Sequence, residues 1–387
     1  MGKKYLVGPF LCAFAAWAVG NGTVALLPLY AIERGASAAG SGLFLAFAFG
    51  CLALGTLAPG LLPKRFAHRR ALLIASGILW VIVSLLTSRT TTLLAFAAAS
   101  GAAYFLAGIV FSQATVLAGL AAPAPERGTA MGILGMTNGL GALVGGLGAG
   151  WLADRFGFAG VFLGAAAVCL LIVAGGLLSV ESPPAEGEAP AGVPRPVAAL
   201  GAALILLVAS QFLLSVTNST ANLGRSLCMD QQGFSKLAIN STQSVSGAVA
   251  LCLPLVLGWL SDRVGRKWIL VGSYLVSAAG LVVLALSTAL WQFYMFAVLN
   301  AFLSVPFGVG PAYVMDVVPR ESAARGVSIF QTLNWVGNIG GMAAGGLAAQ
   351  RSGIAVPVLY SALFPVAGVV LLLLIRKRHA PAMPTVV

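Results

Sequence analysis

Gln331, Asn334, Trp335 and Asn338 stand three, four and seven residues along from the first, the spacing that sets side chains on one face of a helix. Gln211, Ser215, Asn218 and Asn222 repeat the pattern earlier in the chain. Amides and an indole so arranged can hydrogen-bond to and stack on an uncharged molecule; they can neither transfer protons nor hold a metal. The groups that could do such chemistry are few and dispersed. His68 and His379 are the only histidines, and Cys12, Cys51, Cys169 and Cys252 fall in apolar stretches, where they act as small hydrophobes. Cys228 has no evident partner, so no disulfide, metal site or cofactor is implied. A membrane enzyme or receptor would need a catalytic set, a metal cluster or a large exterior domain, and the sequence offers none of them.

The elements that must position these amides are membrane spans. Of 387 residues, 59% are hydrophobic and 8% charged, and the mean hydropathy is +0.98, whereas soluble domains carry about 25% charged residues. Apolar stretches long enough to cross a bilayer recur from end to end. Breaks at charges and Gly or Pro clusters give spans at 5–32, 39–62, 71–87, 91–120, 130–153 and 158–180, then 197–221, 237–260, 268–287, 290–315, 327–349 and 354–375. The reading is an all-α membrane protein of twelve transmembrane helices: an N-terminal six-helix bundle over 1–180, a Pro- and Glu-rich cytoplasmic linker over 181–196, and a second bundle with a short cytoplasmic tail over 197–387. The first stretch lacks a small-residue cleavage site and counts as the first span.

Charge placement orients the array. The net charge of +12 comes from short clusters between spans, which act as topology signals and not as a nucleic-acid surface. With a cytoplasmic N-terminus, Lys3, Lys4, Lys64, Arg65, Arg69, Arg70, Arg127, Arg195, Arg263, Arg266, Lys267, Arg320, Arg325, Arg376, Lys377 and Arg378 fall inside. Only Arg34, Arg89, Arg155, Arg225, Lys236 and Arg351 fall outside, which places both termini in the cytoplasm of a cell with this protein in its inner membrane. The halves also repeat each other. Asn21-Gly-Thr23, the segment Gly60 to Arg69, Arg127-Gly128 and Arg155-Phe-Gly157 lie over Asn218-Ser-Thr220, the segment Gly258 to Lys267, Arg325-Gly326 and Arg351-Ser-Gly353, each about 200 residues later, as a duplicated six-helix unit requires.

The segment Gly258 to Lys267, GWLSDRVGRK, resembles the loop signature of the major facilitator superfamily, and the likeness extends over the whole chain. Gly258 would allow close helix approach, Asp262 could cap a helix or pair with a cation, and Arg263, Arg266 and Lys267 would hold the loop inside. The resemblance implies that these residues, with Gly265, form a latch stabilising one access state. The first-half loop departs from the signature, with Lys64 for the aspartate, Ala67 for the second glycine and His68 for a basic residue, so the latch would rest on Asp262 alone. Gly20 to Ser37 resembles the first span of drug-proton antiporters. Gly132, Gly135, Gly139, Gly141, Gly145, Gly146, Gly148 and Gly150 resemble their glycine-rich fifth span without its proline, and close packing also accounts for them.

The resemblance implies a secondary transporter working as a monomer by alternating access, most like the multidrug efflux branch, on a small uncharged or amphipathic solute; the alternative is uptake of a polar nutrient such as a sugar. In the superfamily, spans 1, 4, 7 and 10 line the cavity with parts of 2, 5, 8 and 11. Asn21, Tyr104, Gln113, Asn138, Gln211, Asn218, Asn300, Gln331, Asn334, Trp335 and Asn338 would then converge near the midplane. Hydrogen bonding between helices is the competing role for each amide, but a continuous stripe exceeds what joining two helices needs. No Asp, Glu, Lys, Arg or His falls inside any span so drawn, so proton coupling would depend on acids at the rim, Glu33, Asp154, Asp230, Asp262 and Asp316.

Overall fold

A computed structural model describes residues 6–61, 68–121, 127–179, 201–318 and 323–375, and among them every regular element is a helix. The linker read at 181–196 lies outside the described residues. The first pass is α1 (Val7–Val24) and α2 (Leu27–Glu33), separated where Pro28 enters. Proline has no N–H to donate back, so it is accommodated in the first turn of a new helix. Then follow α3 (Ala38–Leu61), α4 (Arg69–Thr87) and α5 (Leu93–Ala121). The fifth and sixth passes are one folded element, α6 (Arg127–Leu178), reversed at Gly157, whose φ of 65° a residue with a Cβ rarely adopts.

The second half opens with α7 (Ala202–Gln231), α8 (Lys236–Val264) and α9 (Arg266–Leu286). Ser235 starts α8 by accepting from the Ala238 amide at 3.1 Å, and Gly265, at φ 102°, separates α8 from α9. The tenth pass is α10 (Leu290–Asn300), a 3₁₀ turn at Ala301–Ser304 and α11 (Val305–Val317). The chain ends with α12 (Ala323–Ser352), then α13 (Ala355–Ser361) and α14 (Leu363–Leu374) as the last pass. Length and hydropathy qualify nine helical stretches among the described residues as membrane-crossing. One of them, α6, crosses twice, and α8 and the more polar α12 complete twelve passes. Polarity is distributed as lipid demands: Leu54, Leu57, Leu86 and Leu94 lie on the outer surface, while Gln211, Asn240, Asn334 and Asn338 are buried.

One expectation is overturned. The seventh span was to end at Ala221 with Arg225 in an exterior loop, but α7 continues to Gln231, and Arg225 is a helical residue with 0% exposure. A guanidinium therefore does sit inside a span. The helix persists because Leu223, Gly224, Ser226 and Leu227 around it are buried as well; it stops only at Gly233, with φ 78°.

The two halves grip each other at one end. Lys236 Nζ reaches Asp230 Oδ1 at 2.9 Å and, across the halves, Glu33 Oε1 at 3.4 Å. The Leu237 amide donates to Asp154 Oδ2 at 3.1 Å, and Ser37 Oγ donates to Gln350 Oε1 at 3.3 Å. Deeper in, Asn240 Nδ2 donates to the Gly22 carbonyl at 2.8 Å. Gly42 and Gly346 bring α3 and α12 together, because a Cβ on Gly42 would lie 2.8 Å from the Gly346 Cα. The described inter-half contacts end about halfway along the helices, where Gly139 faces Leu251 and the rings of Phe49 and Trp335 stand 6.3 Å apart.

Candidate functional site

Between the halves lies a cavity of ≈ 580 Å³ lined from both sides. Trp17 and Asn21 come from α1, Phe49 from α3, Trp80 from α4, Tyr104 and Phe111 from α5, and Asn138 from α6. The second half supplies Asn218 and Asn222 from α7, Gln243 from α8, Asn300 from α10, and Gln331, Asn334, Trp335 and Asn338 from α12. Trp17 packs on Phe111 with ring centroids 4.4 Å apart, and Phe49 lies 5.5 Å from Tyr104 and 6.3 Å from Trp335. Among the described residues the lining contains no charged side chain. Flat apolar faces beside uncharged donors and acceptors suit a neutral or amphipathic molecule of drug-like size.

The amides divide into those engaged by the protein and those left to face the cavity. Asn334 Oδ1 accepts from Ser215 Oγ at 2.6 Å and from Gln211 Nε2 at 3.0 Å. Asn338 Oδ1 accepts from Asn218 Nδ2 at 3.1 Å, and Asn338 Nδ2 donates to the Asn334 carbonyl at 2.8 Å. The stripes of α7 and α12 are thus bonded to each other, and the competing role as interhelical bonds applies to most of both. The same device joins α1 to α6, where Asn21 Nδ2 donates to Asn138 Oδ1 at 3.0 Å. Gln331 and Asn300 line the cavity without a hydrogen-bond partner among the described residues. Their amides face the cavity unengaged.

Nine of the eleven residues singled out in the sequence border this cavity, and Gln113 and Gln211 do not. Gln211 lies behind Asn334, and Gln113 is buried with its Oε1 unpartnered. Sequence reasoning missed Gln243, Trp17 and Phe49. The succession Asn240, Gln243, Gly247 at helical spacing carried a signal for Gln243; the rings are not distinguishable by type from those that face lipid. As for the loop resembling a latch, Gly258 and Asp262 are helical residues of α8 whose side chains lie outside the described ones. Arg263 is exposed in the last turn of α8. Past Gly265, Arg266 Nη1 donates to Asp316 Oδ1 at 2.7 Å and to the Ala312 carbonyl at 2.8 Å. Lys267 Nζ donates to the Leu373 and Ile375 carbonyls, each at 3.0 Å. These contacts tie α9 to α11 and α14 within the second half.

A family model described as Major Facilitator Superfamily matches residues 9–221 and again 207–386, once for each half. The chain belongs to the Major Facilitator Superfamily. As a superfamily member it is a multi-pass membrane transporter and not an enzyme. It is 28% identical to a multidrug resistance protein MdtG of Serratia proteamaculans over 88% of this chain and 85% of that one. It is 34% identical to the class C tetracycline resistance protein of Escherichia coli over 97 residues, which span 25% of this chain and 24% of that one. Among solved structures, the nucleoside transporter NupG superposes with a TM-score of 0.75 at 13% identity, covering 95% and 99% of the two chains. A bacterial homologue of the human lysosomal transporter Spinster superposes with a TM-score of 0.73 at 15% identity, covering 96% of each. These superpositions establish the fold that the loop resemblance implied.

Proposed function

We propose that this superfamily member is a monomeric secondary transporter that exports small uncharged or amphipathic compounds across the inner membrane by alternating access. The observation that carries the reading is the cavity between the halves, lined by aromatic rings and amides with no charged side chain among the described residues. The excess of basic residues in the loops of the other end supports an orientation with the gripped end, at Glu33 and Lys236, on the outer side. The cavity then opens toward the cytoplasm, the state from which an exporter loads and into which an importer releases. The names of the multidrug and tetracycline resistance relatives support export. The acids Asp154, Asp230 and Asp316 are each engaged at a helix end, and Glu33 lies beside Lys236; a proton-coupled cycle would run through these rim groups. Abundant amides favour a second reading, uptake of a polar nutrient such as a sugar.

The test is transport in proteoliposomes of the purified protein, with neutral amphipathic compounds and sugars offered with and without an imposed pH gradient. Gradient-driven movement of amphipathic compounds supports proton-coupled export, and equilibration without a gradient supports a uniporter. Movement of sugars alone selects the second reading. Failure to move either class overturns both.

A further inference from the structure

The one fully buried cation described in the membrane-spanning part lacks a countercharge. Arg225 has 0% exposure, and its Nη1 donates to Gln243 Oε1 at 2.8 Å. Its Nε and Nη2 are buried with no hydrogen-bond partner among the described residues. The acids at that end of the bundle are engaged elsewhere: Asp230 and Glu33 with Lys236, and Asp154 with the Leu237 amide. A guanidinium carries five donors in a fixed fork that matches a carboxylate, and burying it unpaired is costly enough that such residues inside spans usually mark a ligand path.

The position of Arg225 relates it to the cavity. Asn218, Asn222 and Arg225 succeed one another at four and three residues along one face of α7, and the first two line the cavity. Gln243, the single partner of Arg225, lines it too, and its Nε2 lies 3.4 Å from Asn21 Oδ1. Gln243 therefore stands between the guanidinium and the cavity, its carbonyl occupying the place an anionic oxygen would take. We infer that Arg225 is an anion-recognition point at the gripped end of the cavity, normally covered by Gln243, for a solute that carries a single anionic group such as a carboxylate on an apolar body. The inference rests on the proposed transport of amphipathic compounds and narrows their class. Two occupants share this chemistry, the anionic group of the solute itself and a free inorganic anion.

Full-length protein in lipid nanodiscs is titrated with benzoate, with its neutral isostere benzamide, and with chloride and inorganic phosphate, following the fluorescence of the cavity tryptophans. Loss of a charge-assisted hydrogen bond changes affinity by about 10- to 100-fold, so wild type should bind benzoate at least about tenfold more tightly than benzamide. Arg225→Gln should bring benzoate down to the level of benzamide without altering benzamide, and Arg225→Lys should keep the anion preference. Chloride or phosphate that displaces benzoate and saturates by itself, in wild type and not in Arg225→Gln, assigns the point to an inorganic anion; otherwise the solute's own group is the occupant. Equal binding of benzoate and benzamide by wild type overturns the inference even if Arg225→Gln does not fold, as does an anion preference that survives in Arg225→Gln. Transport of neutral compounds is measured separately in proteoliposomes, so loss of the anion preference with that transport intact leaves the proposed function standing.

Discussion

Asn334 and Gln331 lie one turn apart on α12 and do different work. Asn334 Oδ1 receives Ser215 and Gln211 from α7, and without it Gln211 Nε2 keeps only the 3.4 Å contact to Ser215 Oγ. Asn334→Ala should therefore lower unfolding stability by about 1–3 kcal/mol, the cost of stranding a buried donor. Gln331 has no such partner, so Gln331→Ala should shift stability by less than about 0.5 kcal/mol while altering which solutes are transported. Thermal unfolding in detergent and proteoliposome transport, run on both variants, would separate the roles; equal destabilisation would refute the division. At this scale the sequence disclosed the amides but not their engagement, since a stripe bonded to a neighbour and a stripe facing a cavity have the same spacing. Arg225 escaped because a scan for apolar runs takes any charge as the end of a span, whereas burial beside Gln243 lets this one continue.

Between elements, the crossing of α3 and α12 sets how tightly the gripped end closes. Gly42 sits where a side chain would meet the Met342 carbonyl and the backbone of Gly346, and backbone cannot yield as a flexible side chain does. Gly42→Leu should wedge the two halves apart at that end. In a protein freed of its five native cysteines, Ser37→Cys and Gln350→Cys replace a pair bonded at 3.3 Å, and a short bis-maleimide should bridge them efficiently. The bridging yield should fall when Gly42→Leu is added to a protein that still elutes as a single species; an unchanged yield would show that this contact does not govern closure. Most helices were legible as apolar runs bounded by charge. The 3₁₀ turn at Ala301–Ser304 was not, because it interrupts a run whose composition stays apolar on both sides.

For the molecule as a whole, duplication was the most legible property. Asn21 and Asn218, matched in the repeat, both bond to an asparagine on the neighbouring helix of their own half, Asn138 and Asn338. Which end is gripped could not be read, since one sequence must serve every state of the cycle. Of the two helices by which the second half holds the first, α8 and α12, the latter falls short of the apolarity needed to cross a membrane unaided. Synthesis runs from the N-terminus, so the first half is already in the bilayer when α12 emerges, and its polar groups can receive those of α12. The first six passes would then act as a scaffold for assembly of the rest. Reporter fusions placed after α12 should register failed crossing when the second half is made alone and recovered crossing when residues 1–180 are co-expressed; unaided crossing would show that α12 needs no such help. On this account a lesion in the first half, even one remote from the cavity, can be lethal to the second at birth.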